Sequence, residues 1–564
     1  MLQTSKHNPT RSSGRRHSSI AAPPQRLKLT TDRQDACLRQ RSISAPGPAP
    51  TDATKSPVIV IAIGQCGVTV AHNFFAQFGT QPHLYPAFFA QVNPSNPSAG
   101  PSQANASSIQ PRPEKISSGA STVKDNPTTA SRPFNSLTPS ERDARIRRTL
   151  SVMLPTLASP STSFRHSNPP PSDSAQYIPR AILLDTEPKV ISHVVSMGGP
   201  RPSPKLPRAW RYHPKCAHWR AAGAANNWAY GYFVHGQDMW QTIVRGVRAQ
   251  VKQAEESNPN QKAVFLVLHS VAGGTGSGVG TYITEQLRRE YPESMIVNQV
   301  VWPFSSGEVI VQHYNVILTL SRLQKVSNLT LILFNDHLHQ ICTSRLALPS
   351  PGFDDLNPLI SHTLKQILTT VSLHDLAASL RPSFLPPFAL VYHVPQVPRA
   401  ANEFTSVTWH GLLKPLKQMV VTHSPIDERL EWRTRPQSDA GSIVETMVVV
   451  LKGKGSKEMK GQLLELGNGG LNEADLFVGK RRVVVRSDGS DSGVLGIDKW
   501  AAVVCTSTAF RDHLAVSLKS VVKMHTCGAY SHQYVKYGLS NEDMEKAIAH
   551  CYQMLSAYRT AKGG

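Results

Sequence analysis

The stretch "HSVAGGTGSGVGTY", residues 269–282, joins an apolar run to the start of a helix through glycines, a threonine and a serine. Residues 263–268, Ala-Val-Phe-Leu-Val-Leu, are a continuous apolar run of strand length bounded by turn residues, which predicts a short buried strand. Val279, Ile283 and Leu287 then recur every four positions and share one face of a helix over about 278–290. The order is strand, glycine loop, helix. At such a junction the first helical N–H groups lack intrahelical partners and the helix dipole adds partial positive charge, so an anion is favoured. Gly273, Gly274, Gly276 and Gly278 remove the Cβ atoms that would hold a phosphate away or forbid a left-handed turn. No Lys-Ser or Lys-Thr follows them, so the Walker-type loop is not matched, and the Gly-x-Gly-x-x-Gly order of dinucleotide folds is absent.

Outward from this loop, strands and helices alternate. Val-Ile-Val-Ile-Ala-Ile at 58–63 predicts a strand ending at Gly64, followed by a helix with Val70, Phe74 and Phe78 on one face. Further on come a strand at 181–184, a helix at about 238–255, the strand at 263–268 and the helix at 278–290. A strand at 297–302, a helix at about 308–325 and a strand at 329–334 complete the series. Alternation of this kind predicts an α/β fold, a parallel sheet with helices on both faces and ligands at the carboxyl ends of its strands. The loops 64–67 and 273–278 both lie at such ends.

The domain layout follows. Residues 57–335, which carry both glycine loops, read as one α/β domain expected to bind an anion; residues 336–510 mix helices such as 361–371 with strands such as 387–393, 444–451 and 500–506, as a second α+β domain. Residues 511–564 are a C-terminal helical region. Residues 1–56 carry ten Lys or Arg against three Asp, amid Ser and Pro, and read as a disordered basic tail. Residues 93–177 are rich in Pro, Ser, Asn and Thr and read as a disordered insertion, with a short helix around 141–150.

The 564 residues carry a net charge of +22 and a pI near 9.8, so acidic partners, nucleic acid and anionic surfaces all come into question. No aromatic platform, zinc module or helix-turn-helix accompanies the basic tail, which argues against nucleic acid. Seven scattered cysteines indicate a reducing compartment such as the cytoplasm. No run approaches the roughly 20 apolar residues of a membrane span. The Arg- and Ser-rich start superficially suits a transit peptide, but Pro23 and Pro24 interrupt any amphipathic helix there.

Four segments belong together: Gly64-Gln65-Cys66-Gly67, Asp185-Thr186-Glu187-Pro188, 223–229 (Gly-Ala-Ala-Asn-Asn-Trp-Ala) and 272–278. In this order they resemble the tubulin superfamily, from about Val58 to Tyr558 apart from the insertion. "AILLDTEPKVI", "NNWAYGYFVHG" and "NQVVWPFSSGEVIVQHYNVILTLSRL" look most like delta-tubulins. The resemblance implies a guanine-nucleotide site for GTP or GDP with Mg²⁺. Gly64, Gln65 and Cys66 match the loop that wraps the phosphates, and Asp185 and Glu187 match the acidic pair near the metal, a hard cation that takes carboxylate oxygens or their waters. Asn226 matches an asparagine near the terminal phosphate. Ser270, Gly273, Gly274, Thr275, Gly276 and Ser277 match the main phosphate loop, and Glu308 the acid beside the ribose. Asn335, Phe353 and Asn357 match the trio that recognises guanine, one face for stacking and two amides for the base edge.

Departures from the family pattern bear on mechanism. Ala225 and Ala272 stand where glycine is usual, each adding a methyl near the phosphates. Within 372–378, Asp375 matches a structural aspartate, while Ala378 falls where alpha-type subunits place the glutamate that acts on a neighbour's nucleotide. An alanine cannot orient or deprotonate water, so hydrolysis is expected to be weak or absent on this chain's own account. The chain ends Ser-Ala-Tyr-Arg-Thr-Ala-Lys-Gly-Gly rather than in an acidic tail, which argues against an ordinary lattice subunit. What the resemblance implies is a cytoskeletal role with other tubulins and microtubules, in triplet formation or stability at centrioles and basal bodies, in organisms that build cilia or flagella. The alternatives are a self-polymerising GTPase and a nucleotide-free scaffold of the same fold.

Other signals are weaker. His213, Cys216 and His218, and His337, His339 and Cys342, invite a metal, but ordinary side chains are the favoured reading. Cys66, in a phosphate loop, could have a lowered thiol pKa, although a buried inert thiol is favoured. Arg15-Arg16-His17-Ser18 and Arg39-Gln40-Arg41-Ser42 look like sites for a basophilic kinase, where phosphate would cut the tail's positive charge.

Overall fold

Every residue of the strand Val58–Ile63 (β1) is buried, because helices cover both faces of the sheet it belongs to. Its alternate side chains serve two different cores. Val58, Val60 and Ala62 pack with Val68, Phe74 and Phe75 on one face, and Ile59, Ile61 and Ile63 with Ile243, Val247, Ile283 and Leu287 on the other. The computed structural model describes residues 56–79, 81–91, 177–199, 208–259, 261–346, 348–382, 385–394, 408–423, 443–466, 482–489 and 499–563. The expected basic tail (apart from Ser56), the helix around 141–150 and the two kinase-like sites lie outside these residues.

The remaining strands are β2 (Phe89–Gln91), β3 (Tyr177–Pro179), β4 (Ala181–Asp185), β5 (Ala217–Trp219), β6 (Val264–Ser270), β7 (Ile296–Trp302), β8 (Leu329–Phe334), β9 (Phe388–Val394), β10 (Val444–Gly453), β11 (Arg482–Asp488) and β12 (Lys499–Ser507). Nine of them join β1 in one ten-stranded sheet, in the order β11-β10-β12-β9-β8-β7-β6-β1-β4-β5. From β9 to β5 every pairing is parallel; β12 is antiparallel to both β9 and β10, and β11 is parallel to β10. β1 sits between β4 and β6, with Val60 opposite Ala181 on one side and Leu266 on the other. β2 and β3 pair antiparallel on either side of residues 92–176, and Tyr177, expected in the insertion, is the first residue of β3.

The helices are α1 (Gly64–Ala76), α2 (Pro188–Met197), α3 (Gln237–Ser257), α4 (Gly280–Glu290), α5 (Gln312–Val326), α6 (Asn335–Gln340), α7 (Phe353–Thr370), α8 (Leu373–Ser379), α9 (Trp409–Thr422), α10 (Ser456–Leu466), α11 (Phe510–Thr526), α12 (Ser531–Val535) and α13 (Asn541–Gly563). Wider π-type turns, Tyr230–Gly236 and Thr275–Val279, lead into α3 and α4. Helix α1 lies along α7, where Ser361 Oγ donates to Val70 O at 2.9 Å and Lys365 Nζ to Gln77 O at 2.6 Å. Among the described residues no helix is long and apolar enough to cross a membrane.

Two helix starts differ from expectation. Helix α5 begins at Gln312, not 308, because Gly307 turns left-handed (φ 86°) and Gln312 Oε1 accepts from the N–H of Glu308 at 2.9 Å, fixing a turn there. Helix α7 begins at Phe353, eight residues before the expected 361. Pro358 reads as a breaker, yet Asp355 Oδ2 accepts from Gly352 N at 2.9 Å and secures the first turn ahead of it.

Candidate functional site

The carboxyl ends of β1, β4, β6, β7 and β8 open onto a cavity of about 260 Å³, and α7 contributes Phe353 and Asn357 to its wall. Gly64, Gln65 and Cys66 line it directly after β1. Gly64 needs its freedom: its φ is 73°, and a Cβ there would stand 3.1 Å from Gly276 N. Cys66 Sγ lies 4.0 Å from Asn357 Oδ1, and burial, helped by the Glu308 charge, pushes the thiol up to about 12. The shift runs opposite to the lowered thiol pKa considered from sequence, enclosure outweighing the positive end of α1.

Ser270, Gly273, Gly274, Thr275 and Gly276 line the same cavity, as does Ala272. Ser277 does not. It is fully buried inside the π-type turn, and its Oγ donates to Gly273 O. The expected reason for the loop's glycines also changes. None of Gly273, Gly274, Gly276 and Gly278 has a left-handed φ. A Cβ on Gly274 would meet Asn227 N at 2.6 Å and one on Gly278 would meet Trp228 O at 2.3 Å, so bare backbone lets the 224–231 segment press against the loop. Of these four glycines, Gly273 alone would take a Cβ without a clash, its nearest neighbour being Asn226 Oδ1 at an ordinary contact distance of 3.6 Å.

The 224–228 segment is held with unusual backbone angles. Ala225 (φ 47°) and Asn226 (φ 52°) are both left-handed, a conformation asparagine tolerates better than alanine. Asn226 lines the cavity. Behind it, Asn315 of α5 donates from Nδ2 to Asn226 O at 2.8 Å and to Ala272 O at 2.6 Å, tying this segment to the glycine loop.

Asp185 and Glu187 line the cavity in different settings. Glu187 is exposed, whereas Asp185 is buried, its Oδ1 accepting the Glu187 N–H at 3.3 Å and its Oδ2 lacking any hydrogen-bond partner. Burial raises the Asp185 carboxyl to about 6 against the lowering effect of neighbouring N–H groups. A buried, unpartnered carboxylate oxygen suits a cation or a ligand hydrogen-bond donor. Among the described residues no group of three His, Cys, Asp or Glu could hold a metal, and two carboxylates are enough for Mg²⁺ when phosphates and waters complete its shell. In the group of His213, Cys216 and His218 the side chains have other partners: His218 Nε2 bonds Lys215 O at 2.9 Å and Cys216 Sγ accepts from Gln250 Nε2 at 3.4 Å.

Glu308, Asn335, Phe353 and Asn357 line the cavity as a group. Glu308 Oε1 accepts from Asn335 Nδ2 at 2.7 Å and from Phe304 N at 3.0 Å, which fixes the Asn335 amide with one Nδ2 hydrogen committed. Phe353 is 50% exposed, an open aromatic face at the start of α7. Sequence reasoning missed Ile63, Val301 and Val309, apolar wall residues. Val301 sits opposite Ser270 in the sheet register, the signal by which it could have been found.

Residues 57–343 match the description "Tubulin/FtsZ family, GTPase domain". The chain belongs to the Tubulin/FtsZ family. Among tubulins, the delta chain of Mus musculus is 30% identical over 408 residues, covering 68% of this chain and 86% of its own length. The delta chain of Homo sapiens is 29% identical over 411 residues, with the same coverage. The beta-3 chain of Zea mays is more distant, 26% identical over 397 residues, covering 68% of this chain and 82% of its own. The tubulin match contains every strand whose carboxyl end opens onto the cavity, while α7 lies beyond residue 343.

Proposed function

We propose that this chain binds a guanine nucleotide with Mg²⁺ in the cavity and serves as a structural tubulin of the delta type. The observation that carries the reading is the convergence on one cavity of the two glycine turns, the Asp185–Glu187 pair, Asn226 and the Glu308–Asn335–Phe353–Asn357 group, all from separate stretches of chain. The Ala272 N–H is given to Ser270 Oγ at 3.2 Å, and the N–H groups of 273–276, residues that line the cavity after β6, take up phosphate charge without a lysine. Asp185 and Glu187 hold Mg²⁺ directly or through water, and Mg²⁺ when bound neutralises phosphate charge. Phe353 stacks on the base, and the free Oδ1 of Asn335 with the amide of Asn357 pairs with its edge.

Hydrolysis by this chain alone is weak or absent in this reading. Ser372, Leu373 and His374 lie beside Val58 and Val264, the amino ends of β1 and β6, so the segment that would meet a neighbouring subunit faces away from the cavity. Asp375 is engaged with Ser372, whose Oγ is 2.9 Å from its carboxylate, and exposed Ala378 offers only a methyl. The cellular role that the family resemblance suggests is formation or stability of triplet microtubules at centrioles and basal bodies, with other tubulins as partners.

The test is nucleotide content. Purified chain is denatured, and released GTP and GDP are quantified per protein. Near-stoichiometric guanine nucleotide, mostly GTP, is expected; folded protein that is empty and refuses added GTP would overturn the binding reading. A fluorescently tagged chain that ignores centrioles and basal bodies in flagellated cells would overturn the cellular one.

A further inference from the structure

Asn315, on the buried side of α5, uses every hydrogen-bonding capacity of its amide. Nδ2 gives its two hydrogens to Asn226 O and Ala272 O, and Oδ1 accepts from Trp228 N at 3.0 Å and from the Tyr534 hydroxyl at 2.8 Å. Both residues are buried, at 0% and 1% exposure. Asn315 does not line the cavity; the residues it holds, Asn226 and Ala272, do.

We infer that Asn315, oriented by the Tyr534 hydroxyl of α12, is a positioning residue that sets the two phosphate-facing loops and thereby links nucleotide retention to the C-terminal helical region. The inference rests on reading the cavity as a guanine-nucleotide site. In a trans peptide the N–H points opposite to the C=O, so holding Ala272 O on the α5 side turns the Gly273 N–H away from α5. The same hold keeps Asn226 in its left-handed conformation, which the segment's own sequence does not favour at the neighbouring Ala225. A second tie runs in parallel, Asn227 Nδ2 donating to Gln533 O at 3.1 Å. The 226–228 segment is thus tied to α12 twice, directly from Asn227 to Gln533 and through Asn315 from Asn226 and Trp228 to Tyr534, and the second tie passes through the amide that also grips the glycine loop.

The experiment measures dissociation of a fluorescent GTP analogue from the full chain by stopped flow, for wild type, Tyr534→Phe, Asn315→Asp and Tyr314→Phe. Tyr534→Phe keeps the ring and deletes only the hydroxyl; dissociation is expected to quicken about fivefold, the effect of one buried hydrogen bond. Asn315→Asp turns the Nδ2 donor into an acceptor facing two carbonyls and is expected to release nucleotide faster still. Tyr314→Phe is the control. It deletes a hydroxyl bond of 3.0 Å to Ala529 O in the same C-terminal region, yet leaves the Asn315 amide untouched, and is expected to match wild type. Should Asn315→Asp fail to fold, Tyr534→Phe against Tyr314→Phe decides alone. Equal rates in wild type and Tyr534→Phe, or equal acceleration by both tyrosine variants, would overturn the positioning role. A wild-type chain that binds no analogue would instead overturn the nucleotide reading beneath it.

Discussion

The hydroxyls of Thr186 and Thr275 meet at 2.6 Å, tying the residue after β4 to the turn that follows β6. Thr186 is 1% exposed, so water cannot replace a lost partner there. Thr275→Val is expected to lower stability by about 1–2 kcal/mol, the cost of stranding a buried hydroxyl. In a double-mutant cycle with Thr186→Val, urea denaturation is expected to show a coupling of about 1 kcal/mol. Strict additivity of the two variants would mean that the contact carries no energy.

Ala225 is the residue whose local conformation its side chain least favours. A left-handed alanine costs roughly 1–2 kcal/mol. Ala225→Gly relieves that strain, offset in part by the greater freedom of glycine in the unfolded chain. A net gain of about 0.5–1 kcal/mol is expected, read as a higher denaturation midpoint. A lower midpoint would show that the methyl packs more favourably than the turn is strained.

Asp185 predicts opposite effects on stability and binding. Its carboxyl is raised by burial from an ordinary value of 3.8 to about 6, so the folded chain holds this proton more tightly than the unfolded one. Its contribution to stability therefore rises as pH falls from about 6 towards 3.8 and is unfavourable at neutral pH. Asp185→Asn is expected to stabilise the nucleotide-free chain at pH 7 by on the order of 2 kcal/mol, and to weaken Mg²⁺-dependent nucleotide binding. Thermal melts at pH 7 and 5 check the first effect. A variant that melts below wild type at pH 7 would refute the burial argument.

The thiols give a chemical readout of the cavity. Cys527 is exposed, whereas Cys66 is pushed up to about 12. At pH 8 Cys66 is held almost wholly as the unreactive thiol, so iodoacetamide is expected to modify exposed Cys527 first. Peptide mapping over time checks the order. Early labelling of Cys66 would mean that its loop opens.

The sheet was legible because strands covered on both faces are written as unbroken apolar runs; 58–63 and 329–334 match β1 and β8 end for end. The edge was not. β11, Arg-Val-Val-Val-Arg-Ser-Asp, has only three apolar residues between charged and polar ones, although Val484 and Val485 pack against the cores on opposite faces. The cavity's lining was largely legible through motif order, since glycine, aspartate and asparagine keep their spacing at strand ends. Ser277 escaped because spacing cannot tell a hydroxyl that faces the cavity from one that bonds its own turn. Asn315 escaped for a related reason: on a helix it looks like any polar residue, and its four partners come from three distant segments.

Helix α1 starts at Gly64, at the phosphate end of the proposed site, and α7 starts at Phe353, at the base end. The Ser361–Val70 and Lys365–Gln77 bonds lock the two shafts lengthwise. Cys66 Sγ of α1 lies 4.0 Å from Asn357 Oδ1 of α7, so the two helices present one continuous wall to the cavity: a displacement of either shaft carries the other with it, and a ligand held there meets a single plate rather than two independent parts.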